Sequence, residues 1–377
     1  MTRDGAPRGD LPYDRDLIRS GGTTQRGGRR RQATPPRRSR ARPARRHGSF
    51  LRTLRNILLL ALVAVIVIVV LLGLRAATFN ATVSSAPFPS TALFGPLNGD
   101  DRVNVLMVGY GGEGHDGAYL ADSIQIMSID PSTDTTTTIP IPRDLWIEGA
   151  ASYPQNGKVN EVFSTANAGG GLDEAGALMA QVLSEVTGLE IEHWLSIDFI
   201  GFREMVDAVG GVTVDNPVAF EYTHNPTQHR AGNYDAGGFA QGEIHLDGDQ
   251  ALAYARARYT SVVAESTDFA RSVRQARIMG ALRGSVGDGG PGAILPGLGL
   301  MDAMEGRVRT DLSVIDLYLL SSHLSSDRRV ELSEGPVLTA TSNTVGQYIL
   351  VPTGWIGPGD YDGLRAYLSG QLAADAP

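Results

Sequence analysis

The sequence of 377 residues contains no cysteine, one lysine (Lys158) and no visible tandem repeat. The absence of cysteine excludes a disulfide framework and any thiolate metal site. Because lysine is almost absent, cationic sites must be built from the 32 arginines, whose planar guanidinium forks suit phosphate oxygens. The length allows one large domain or two of ordinary size.

Charge is distributed unevenly along the chain. Residues 1–55 carry sixteen arginines and four acidic residues, whereas the remaining residues carry 17 basic and 37 acidic ones. The basic segment is rich in Arg, Gly, Pro and Ser and has too few apolar residues for a core, so we expect it to be disordered. Its charge alone would suit nucleic acid, but the segment that follows indicates a different role.

An uncharged run of 18 residues extends from Ile57 to Leu74. As a helix it would span about 27 Å, enough to cross a bilayer. A cleaved signal peptide is the alternative, with small residues near Ala76, but a signal core is usually shorter. We therefore predict an uncleaved anchor with the basic tail cytoplasmic, by the positive-inside rule, and close to anionic lipids. Nucleic acid is not an expected partner.

These features predict four segments. They are a disordered cytoplasmic tail (1–55), a transmembrane helix (56–75), a polar spacer (76–100) and an extracytoplasmic domain (101–372).

The domain alternates strand and helix patterns, which predicts an α/β fold with helices on both faces of the sheet. Predicted strands cover 103–108, 123–129, 135–141, 193–197, 329–333 and 347–351, and a hairpin region begins at 212–214. Predicted helices cover 172–186, 199–209, 249–258, 268–283, 314–324 and 360–371. We expect residues 219–242 to form a loop or lid and residues 284–298 a Gly/Pro loop.

Five arginines fall between Arg256 and Arg277 and alternate with Ala, Tyr, Phe and Val. Asp268, Arg271 and Gln275 share one helical face, and the interleaved apolar residues indicate a packed element. Arginines fixed in this way form an array of donors for phosphate oxygens, so a pyrophosphate is one candidate ligand. Structural Arg–Asp pairs are the other interpretation.

Four further segments have residues suited to chemistry. The glycine-rich turn with Glu113, His115 and Asp116, followed by Asp122, suggests a Mg²⁺ site, although a polar turn would look the same. The prolines at 140 and 142 would present Arg143 rigidly, or it could form a surface salt bridge. Lys158 is either a functional point charge or a chance surface residue. The apolar residues between Trp194 and Phe202 indicate core, and they could also wall a lipid channel.

In this order, these segments resemble the LytR-CpsA-Psr family. The resemblance covers residues 101–285 closely and the rest of the domain loosely. It is carried by nine motifs: Asn104-Val-Leu-Met-Val-Gly109, Ala121-Asp122-Ser-Ile, Ile129-Asp130-Pro131, Ile141-Pro142-Arg143-Asp144, Lys158-Val-Asn160, Asp198-Phe-Ile-Gly-Phe202, Val206-Asp-Ala-Val-Gly-Gly-Val212, Leu246 to Arg258, and Asp268-Phe-Ala-Arg271-Ser-Val-Arg274-Gln275.

The resemblance implies an α-β-α sandwich that transfers a glycopolymer phosphate from a polyprenyl-pyrophosphate carrier to a wall acceptor. That acceptor would be a hydroxyl of peptidoglycan or of a surface protein. The carrier's prenyl chain would lie in an apolar cavity between sheet and helices. Phosphoryl transfer needs mainly positioning and charge neutralisation, which arginines and a metal supply.

The site residues expected on this basis fall into three groups. The catalytic candidates are Arg143, Asp144, Arg256, Arg258 and Asp268, with Asp144 or Asp268 as the base. The pyrophosphate-binding candidates are Lys158, Arg271, Arg274 and Gln275. The metal candidates are Asp122 and Asp116, for Mg²⁺ or Mn²⁺.

One position departs from the pattern that the resemblance implies. The first strand ends in Gly109-Tyr110-Gly111, where the family has Gly-x-Asp. We expect Asp116, or else Glu113, to replace the absent carboxylate.

Two other functions are compatible with the sequence: a polyprenyl-pyrophosphate hydrolase and a non-catalytic glycolipid-binding wall scaffold. The Arg-, Ala- and Gly-rich composition suggests a high-GC genome, which within this family hints at an actinobacterial wall.

Overall fold

The computed structural model describes residues 47–99, 101–223, 237–286, 294–321, 323 and 328–373. Its helices are α1 (His47–Val83), α2 (Val159–Thr187), α3 (Phe199–Ala208), α4 (Gly248–Arg256), α5 (Asp268–Val286), α6 (Ile294–Met304), α7 (Val314–Ser321) and α8 (Asp362–Ala373). Its strands are β1 (Val103–Tyr110), β2 (Ala121–Asp130), β3 (Thr135–Pro140), β4 (Trp146–Ile147), β5 (Gly157–Lys158), β6 (His193–Asp198), β7 (Val212–Asn216), β8 (Phe220–Thr223), β9 (Gly237–Phe239), β10 (Gly242–Leu246), β11 (Tyr259–Thr260), β12 (Val308–Thr310), β13 (Arg328–Arg329), β14 (Leu338–Ser342) and β15 (Tyr348–Pro352).

The chain divides into two compact units, Met1–Leu62 and Val63–Pro377. In the first, residues 47–55, which the sequence predicts as part of the disordered tail, are helical, and the rest of the predicted tail lies outside the described residues. Among the described residues, one stretch, Arg52–Val83, is long and apolar enough to cross a membrane. Its most apolar 18-residue window has a mean hydropathy of 3.6, and none of that window is buried.

The segment predicted as a polar spacer is instead packed against the domain. Helix α1 continues to Val83, and the side chains of Phe79, Val83 and Leu93 are buried. Hydrogen bonds from Ser85 N to Thr310 O and from Leu93 N to the Asp316 carboxylate hold the segment. Residues 76–99 therefore belong to the folded unit, because their apolar side chains complete its core.

The second unit is organised around a six-stranded mixed sheet in the order β12-β6-β1-β2-β3-β13. Strand β1 pairs antiparallel with β2 and parallel with β6. The predicted strands at its centre are confirmed, and the continuous apolar run of β1 suits a strand that is buried on both faces.

Side chains of β1 point to both faces of this sheet. Leu106 and Val108 join a core cluster that also contains residues of α2 and α8. Val103 and Val105 join a second cluster with residues of β2 and α7. The fold is therefore α/β with helices on both faces, as predicted.

A third cluster lies in the segment between β6 and α6. It gathers apolar residues of α3, α4 and α5 with those of β7, β8, β9 and β10. The side chain of Asp198 caps α3 by accepting a hydrogen bond from Gly201 N at 2.7 Å. Asp247 caps α4 in the same way through Gln250 N, at 2.9 Å. These caps fix the ends of the helices that flank the candidate site.

Several elements differ from the prediction. Helix α2 begins at Val159 with a helical segment that was not predicted, and the non-helical Gly171, at φ 81°, separates it from the predicted helix, which begins at Leu172 as expected. The predicted lid at 219–242 contains strands β8 and β9, while residues 224–236 lie outside the described part. Helix α6 begins inside the predicted Gly/Pro loop, of which residues 287–293 are not described.

Candidate active site

A largely apolar cavity of about 560 Å³ lies between the central sheet and helices α3 to α7. Its sheet side includes Met107 of β1 and Leu195 and Ile197 of β6. Apolar side chains of the helices complete the wall: Phe199, Phe202, Met205, Leu252, Met279, Leu282, Leu300, Met301, Met304, Leu317 and Leu320. The channel wall predicted between Trp194 and Phe202 is thus largely present, although Trp194 itself packs in the core against α2.

Two parts of the wall were missed from the sequence. Helices α6 and α7 belong to the segment beyond residue 286, for which the sequence predicted no role. Phe79 of α1 also lines the cavity. In the sequence, these parts of the wall appear only as further runs of apolar residues. Such runs do not show which side of a helix faces a cavity and which faces a core.

Arginines from three separate segments line the same cavity. Arg143 follows β3 and the two prolines, Arg256 ends α4 with Arg258 just beyond it, and Arg271 lies on the first turns of α5. The sequence prediction that these four side chains converge agrees with their placement, while their catalytic and binding roles stay predictions.

Asp122 of β2 is the carboxylate around which three of these arginines gather. Its Oδ1 lies 3.2 Å from Arg143 Nη1, and its Oδ2 lies 3.2 Å from Arg256 Nη2. Arg271 Nη2 donates to the Asp122 backbone oxygen at 3.2 Å. The Arg256 guanidinium also stacks over the Phe199 ring, 3.9 Å from its centroid. Ion pairing and cation–π contact hold the Arg256 guanidinium in one orientation.

Asp268 is the second carboxylate of the cluster. Its Oδ1 lies 3.2 Å from Arg258 Nη2 and 3.1 Å from Arg271 Nη1. With Asp144 and Lys158, which pair beside Arg143, five cationic groups face three carboxylates, which leaves an excess of positive charge beside the cavity. Structural Arg–Asp pairs, the alternative interpretation of this segment, are present, but they do not neutralise the cluster.

The arginine cluster also retains unused donors. Arg143 Nε, Arg258 Nη2 and Arg271 Nε are buried and make no hydrogen bond to any residue that the structure describes. The contact of Arg258 with Asp268 is thus an ion pair without hydrogen-bond geometry. Burial, together with the charge of Arg143, lowers the pKa of Arg258, and Asp268 opposes that effect. Phosphate oxygens would satisfy such donors and offset the buried charge.

Lys158 and Asp144 lie beside this cluster and pair with each other. Lys158 Nζ lies 2.5 Å from Asp144 Oδ1, and Arg143 Nε lies 3.6 Å from Asp144 Oδ2. Strand β5 places Lys158 opposite Trp146 of β4, directly after the Arg143–Asp144 segment. Lys158 is therefore not an isolated surface charge, and it supports the segment that carries Arg143.

Gln275 and Arg274 are neighbours on α5 but point to different surroundings. Gln275 lines the cavity, and its Oε1 accepts from Ser123 Oγ at 2.9 Å and Gln125 Nε2 at 3.0 Å. Arg274 is fully buried and is not a cavity residue. Its guanidinium donates to the backbone oxygens of Tyr254 and Ala257 and to Glu265. The prediction that Arg274 binds pyrophosphate is wrong, because these internal acceptors use its donors.

The turn between β1 and β2 holds Asp116, the other predicted metal residue. Asp116 and Glu113 are exposed, while His115 is half-buried and reaches toward the cluster. His115 Nε2 lies 3.5 Å from Arg256 Nη1. His115 belongs to the turn that the sequence singled out for Mg²⁺, but it was not predicted as a site residue, because a histidine in a glycine-rich turn gives no sequence signal of its direction.

The residues present can hold a divalent cation only together with a bound phosphate compound that supplies further oxygen ligands. Within the residues that the structure describes, no three His, Cys, Asp or Glu side chains gather as a metal site. Asp122 and His115 nevertheless flank the same Arg256 guanidinium. Mg²⁺ and Mn²⁺ often take one or two protein ligands and complete their shell with phosphate oxygens and water. The donor set fits a cation of that kind.

The family is settled by comparison with known proteins. Residues 75–353 match the LytR_cpsA_psr family. The chain therefore belongs to the LytR-CpsA-Psr family. The matched region covers α1 from residue 75 onward, the whole central sheet and every residue of the arginine cluster.

Curated LytR-CpsA-Psr relatives have names that state an activity. A Bacillus anthracis protein named polyisoprenyl-teichoic acid–peptidoglycan teichoic acid transferase TagU is 32% identical over 219 residues. That match covers 58% of this chain and 63% of the relative. A protein of the same name from Oceanobacillus iheyensis is 30% identical over 256 residues, with 66% and 72% of the two chains covered. This chain thus spans less than two thirds of the length of the first relative.

Solved structures share the LytR-CpsA-Psr fold. The crystal structure of Bacillus subtilis TagV superposes with a TM-score of 0.53 at 23% identity, covering 73% of this chain and 98% of TagV. The structure of an Enterococcus faecalis protein called a transcriptional regulator superposes with a TM-score of 0.52 at 24% identity. This match covers 74% of this chain and 90% of the E. faecalis chain. At this level of identity, the likeness establishes the α/β fold alone.

Proposed function

We propose that this LytR-CpsA-Psr protein is a membrane-anchored phosphotransferase. It moves a glycopolymer phosphate from a polyprenyl-pyrophosphate carrier to a wall acceptor hydroxyl, of peptidoglycan or of a surface protein. The supporting observation is a single cavity that combines an apolar wall with four arginines. A prenyl diphosphate has the same two parts, an apolar chain and a compact anion.

In the proposed reaction, the acceptor oxygen attacks the phosphorus that carries the glycan. A new P–O bond forms to the acceptor, the P–O–P bridge breaks, and polyprenyl monophosphate leaves. Asp144 or Asp268 takes the proton of the acceptor hydroxyl. Arg143, Arg256, Arg258 and Arg271 neutralise the charge on the diphosphate, with support from Gln275 and Lys158.

A divalent cation, Mg²⁺ or Mn²⁺, would be held by Asp122, with Asp116 as the predicted second carboxylate. When bound, it would neutralise charge on the phosphate oxygens. The chain's own residues would position the diphosphate beside it, since Arg143 and Arg256 fix both oxygens of Asp122.

The proposed topology follows from the sequence. The basic tail would be cytoplasmic, helix α1 would anchor the protein in the cytoplasmic membrane, and the domain would lie outside. The cell-wall acceptor and the lipid-linked glycan would then be on the same side of the membrane as the site.

The test is a transfer assay with the full chain in lipid nanodiscs. A polyprenyl-pyrophosphate-linked oligosaccharide and peptidoglycan fragments are supplied, and mass spectrometry follows the covalent glycan–phosphate–peptidoglycan product and polyprenyl monophosphate. A transferase forms both products only when acceptor is present. Free glycan phosphate formed equally without acceptor would indicate the hydrolase, and binding without turnover would indicate the scaffold.

Arg256→Ala supplies the comparison within that assay. The matched control is Arg203→Ala, because Arg203 pairs with Asp249 at the surface at 2.7 Å and does not line the cavity. The proposal requires the Arg256 variant to lose transfer while the Arg203 variant keeps it.

A further inference from the structure

The turn that follows β1 is shaped to present His115. Gly112, Gly114 and Gly117 have φ values of 83°, 85° and 69°, in a region that favours glycine. His115 N donates to Gly112 O at 3.2 Å, which closes the turn tightly. The backbone therefore directs one side chain inward, and it is the imidazole of His115.

The imidazole occupies the place that a side chain at position 111 would need. A Cβ on Gly111 would lie 2.7 Å from His115 Nδ1 and 2.8 Å from its Cγ. Contacts under 3.0 Å are not tolerated, so a side chain at 111 and this position of His115 exclude each other. Glycine at 111 is thus what allows the imidazole to lie beside Arg256, where a side chain at position 111 would displace it.

The hydrogen bonds of His115 fix which of its nitrogens faces the site. Nδ1 lies 2.7 Å from the Asp116 backbone oxygen. Because a carbonyl oxygen only accepts, Nδ1 carries the proton, and Nε2 presents its lone pair. Nε2 faces Arg256 Nη1 at 3.5 Å, and the other terminal nitrogen of Arg256 lies 3.2 Å from Asp122 Oδ2. A lone pair and a carboxylate therefore border one guanidinium.

The plane of the His115 ring is also fixed by aromatic packing. His115 packs edge-on to Phe199 with centroids 5.3 Å apart, and the same Phe199 ring supports Arg256. A backbone acceptor on one imidazole nitrogen and a fixed ring plane are the features that orient metal-binding histidines.

We propose that His115 Nε2 is a protein ligand, together with Asp122, of the divalent cation at the diphosphate. This inference rests on the proposed function, because the diphosphate supplies the remaining oxygens. One nitrogen donor shifts the preference from Mg²⁺ toward Mn²⁺, since imidazole suits transition metals and Mg²⁺ prefers oxygen. Asp116 then contributes through its backbone carbonyl, which orients the ring.

The test uses the full chain in nanodiscs with Mn²⁺ and farnesyl diphosphate. Pulsed electron paramagnetic resonance detects the coupling of an imidazole ¹⁴N to bound Mn²⁺. We expect this coupling in the natural chain and its loss in His115→Ala, with Mn²⁺ affinity about tenfold weaker or more. His115→Asp should restore Mn²⁺ affinity without the nitrogen coupling. Restored binding would show that the loss of coupling does not come from a misfolded protein.

A control variant completes the design. His245→Ala removes an exposed histidine away from the cavity. It should keep the nitrogen coupling. If the natural chain lacks the coupling, or His115→Ala keeps it, the inference is overturned.

The transfer assay separates this inference from the proposed function. Transfer without nitrogen coupling would overturn the ligand role and leave the function standing. Nitrogen coupling without turnover, in any assay of transfer, would leave His115 as a ligand and overturn the function.

Discussion

Lys158 Nζ lies 2.5 Å from Asp144 Oδ1, so the only lysine of the chain is committed to one of the two candidate bases. Arg143 approaches the other oxygen of Asp144 at 3.6 Å. Asp268 is less confined, with a side chain that is 43% exposed against 13% for Asp144. The two carboxylates are therefore unequal in their access to an incoming acceptor.

Asp268→Asn is predicted to lower kcat by about two orders of magnitude or more, the usual contribution of a general base. Asp268 faces solvent, whereas both oxygens of Asp144 have cationic neighbours. KM for the lipid substrate should change less than kcat. Single-turnover transfer in nanodiscs measures the chemical step directly.

Asp144→Asn is the companion variant. It leaves Lys158 without its carboxylate and should cost about 1.5–3 kcal/mol of stability, the range for hydrogen bonds to charged groups. A lower Tm with a kcat close to that of the natural chain is expected. A loss of kcat at unchanged Tm would assign the base to Asp144 instead.

Arg256→Lys is predicted to reduce kcat/KM by about 10²–10³, although the charge is kept. A lysine cannot contact Asp122, His115 and the Phe199 face at once, as the planar guanidinium does. Steady-state transfer kinetics measure the effect. The conservative Arg203→Lys at the surface pair with Asp249 should leave kcat/KM unchanged.

Met279→Trp is predicted to raise KM for a long prenyl carrier about tenfold, because the larger side chain fills part of the cavity wall. KM for a short prenyl diphosphate, which needs less of the cavity, should stay the same. Met279→Leu conserves volume and serves as the control. An equal rise for both carriers would place the prenyl chain elsewhere.

Arg274→Ala is predicted to lower the free energy of unfolding by about 3–5 kcal/mol, because it removes a fully buried guanidinium and leaves the partly buried Glu265 without its partner. Two backbone oxygens also lose their donor. Thermal unfolding of the full chain in detergent gives the change in Tm. A variant with normal Tm and weakened diphosphate binding would contradict the structural role of Arg274.

The His193–Asp311 pair predicts a pH dependence of stability. Burial lowers the pKa of His193, but its hydrogen bond and charge interaction with Asp311, at 2.9 Å, outweigh burial and raise the pKa above 6.5. The stabilisation is thus full below about pH 6.5 and is lost as pH rises through the folded-state pKa. Tm measured between about pH 5.5 and 8 should fall more in the natural chain than in His193→Gln.

Much of the fold was predictable because strand and helix periodicities are local. The apolar run at Val103–Val108 and the alternating run at Ser123–Ile129 were predicted as strands, and both lie at the centre of the sheet. The predicted helix from Leu172 is present, but the helical segment from Val159 that precedes it was missed, although the glycines at 169–171 do contain a break at Gly171. That first segment packs Val159, Val162 and Phe163 into the core, and tertiary contacts of that kind have no local signal.

The arginine cluster was predictable in composition but not in detail. Basic residues alternating with apolar ones indicated a packed, functional segment. The division of roles between Arg274 and Gln275 depends on which way two adjacent side chains of one helix turn. Likewise, the direction of His115 follows from backbone angles at three glycines, which become visible only in the folded turn.

Helix α1 has a consequence for how a lipid would reach the site. Phe79, which lines the cavity, follows the end of the apolar run at Leu74 by five residues. Along a helix this separation is about 7.5 Å. A prenyl tail moving from bilayer to cavity would then cross only a short stretch of headgroups. Since each exposed CH₂ costs about 0.8 kcal/mol, a short crossing keeps the barrier to loading the carrier low.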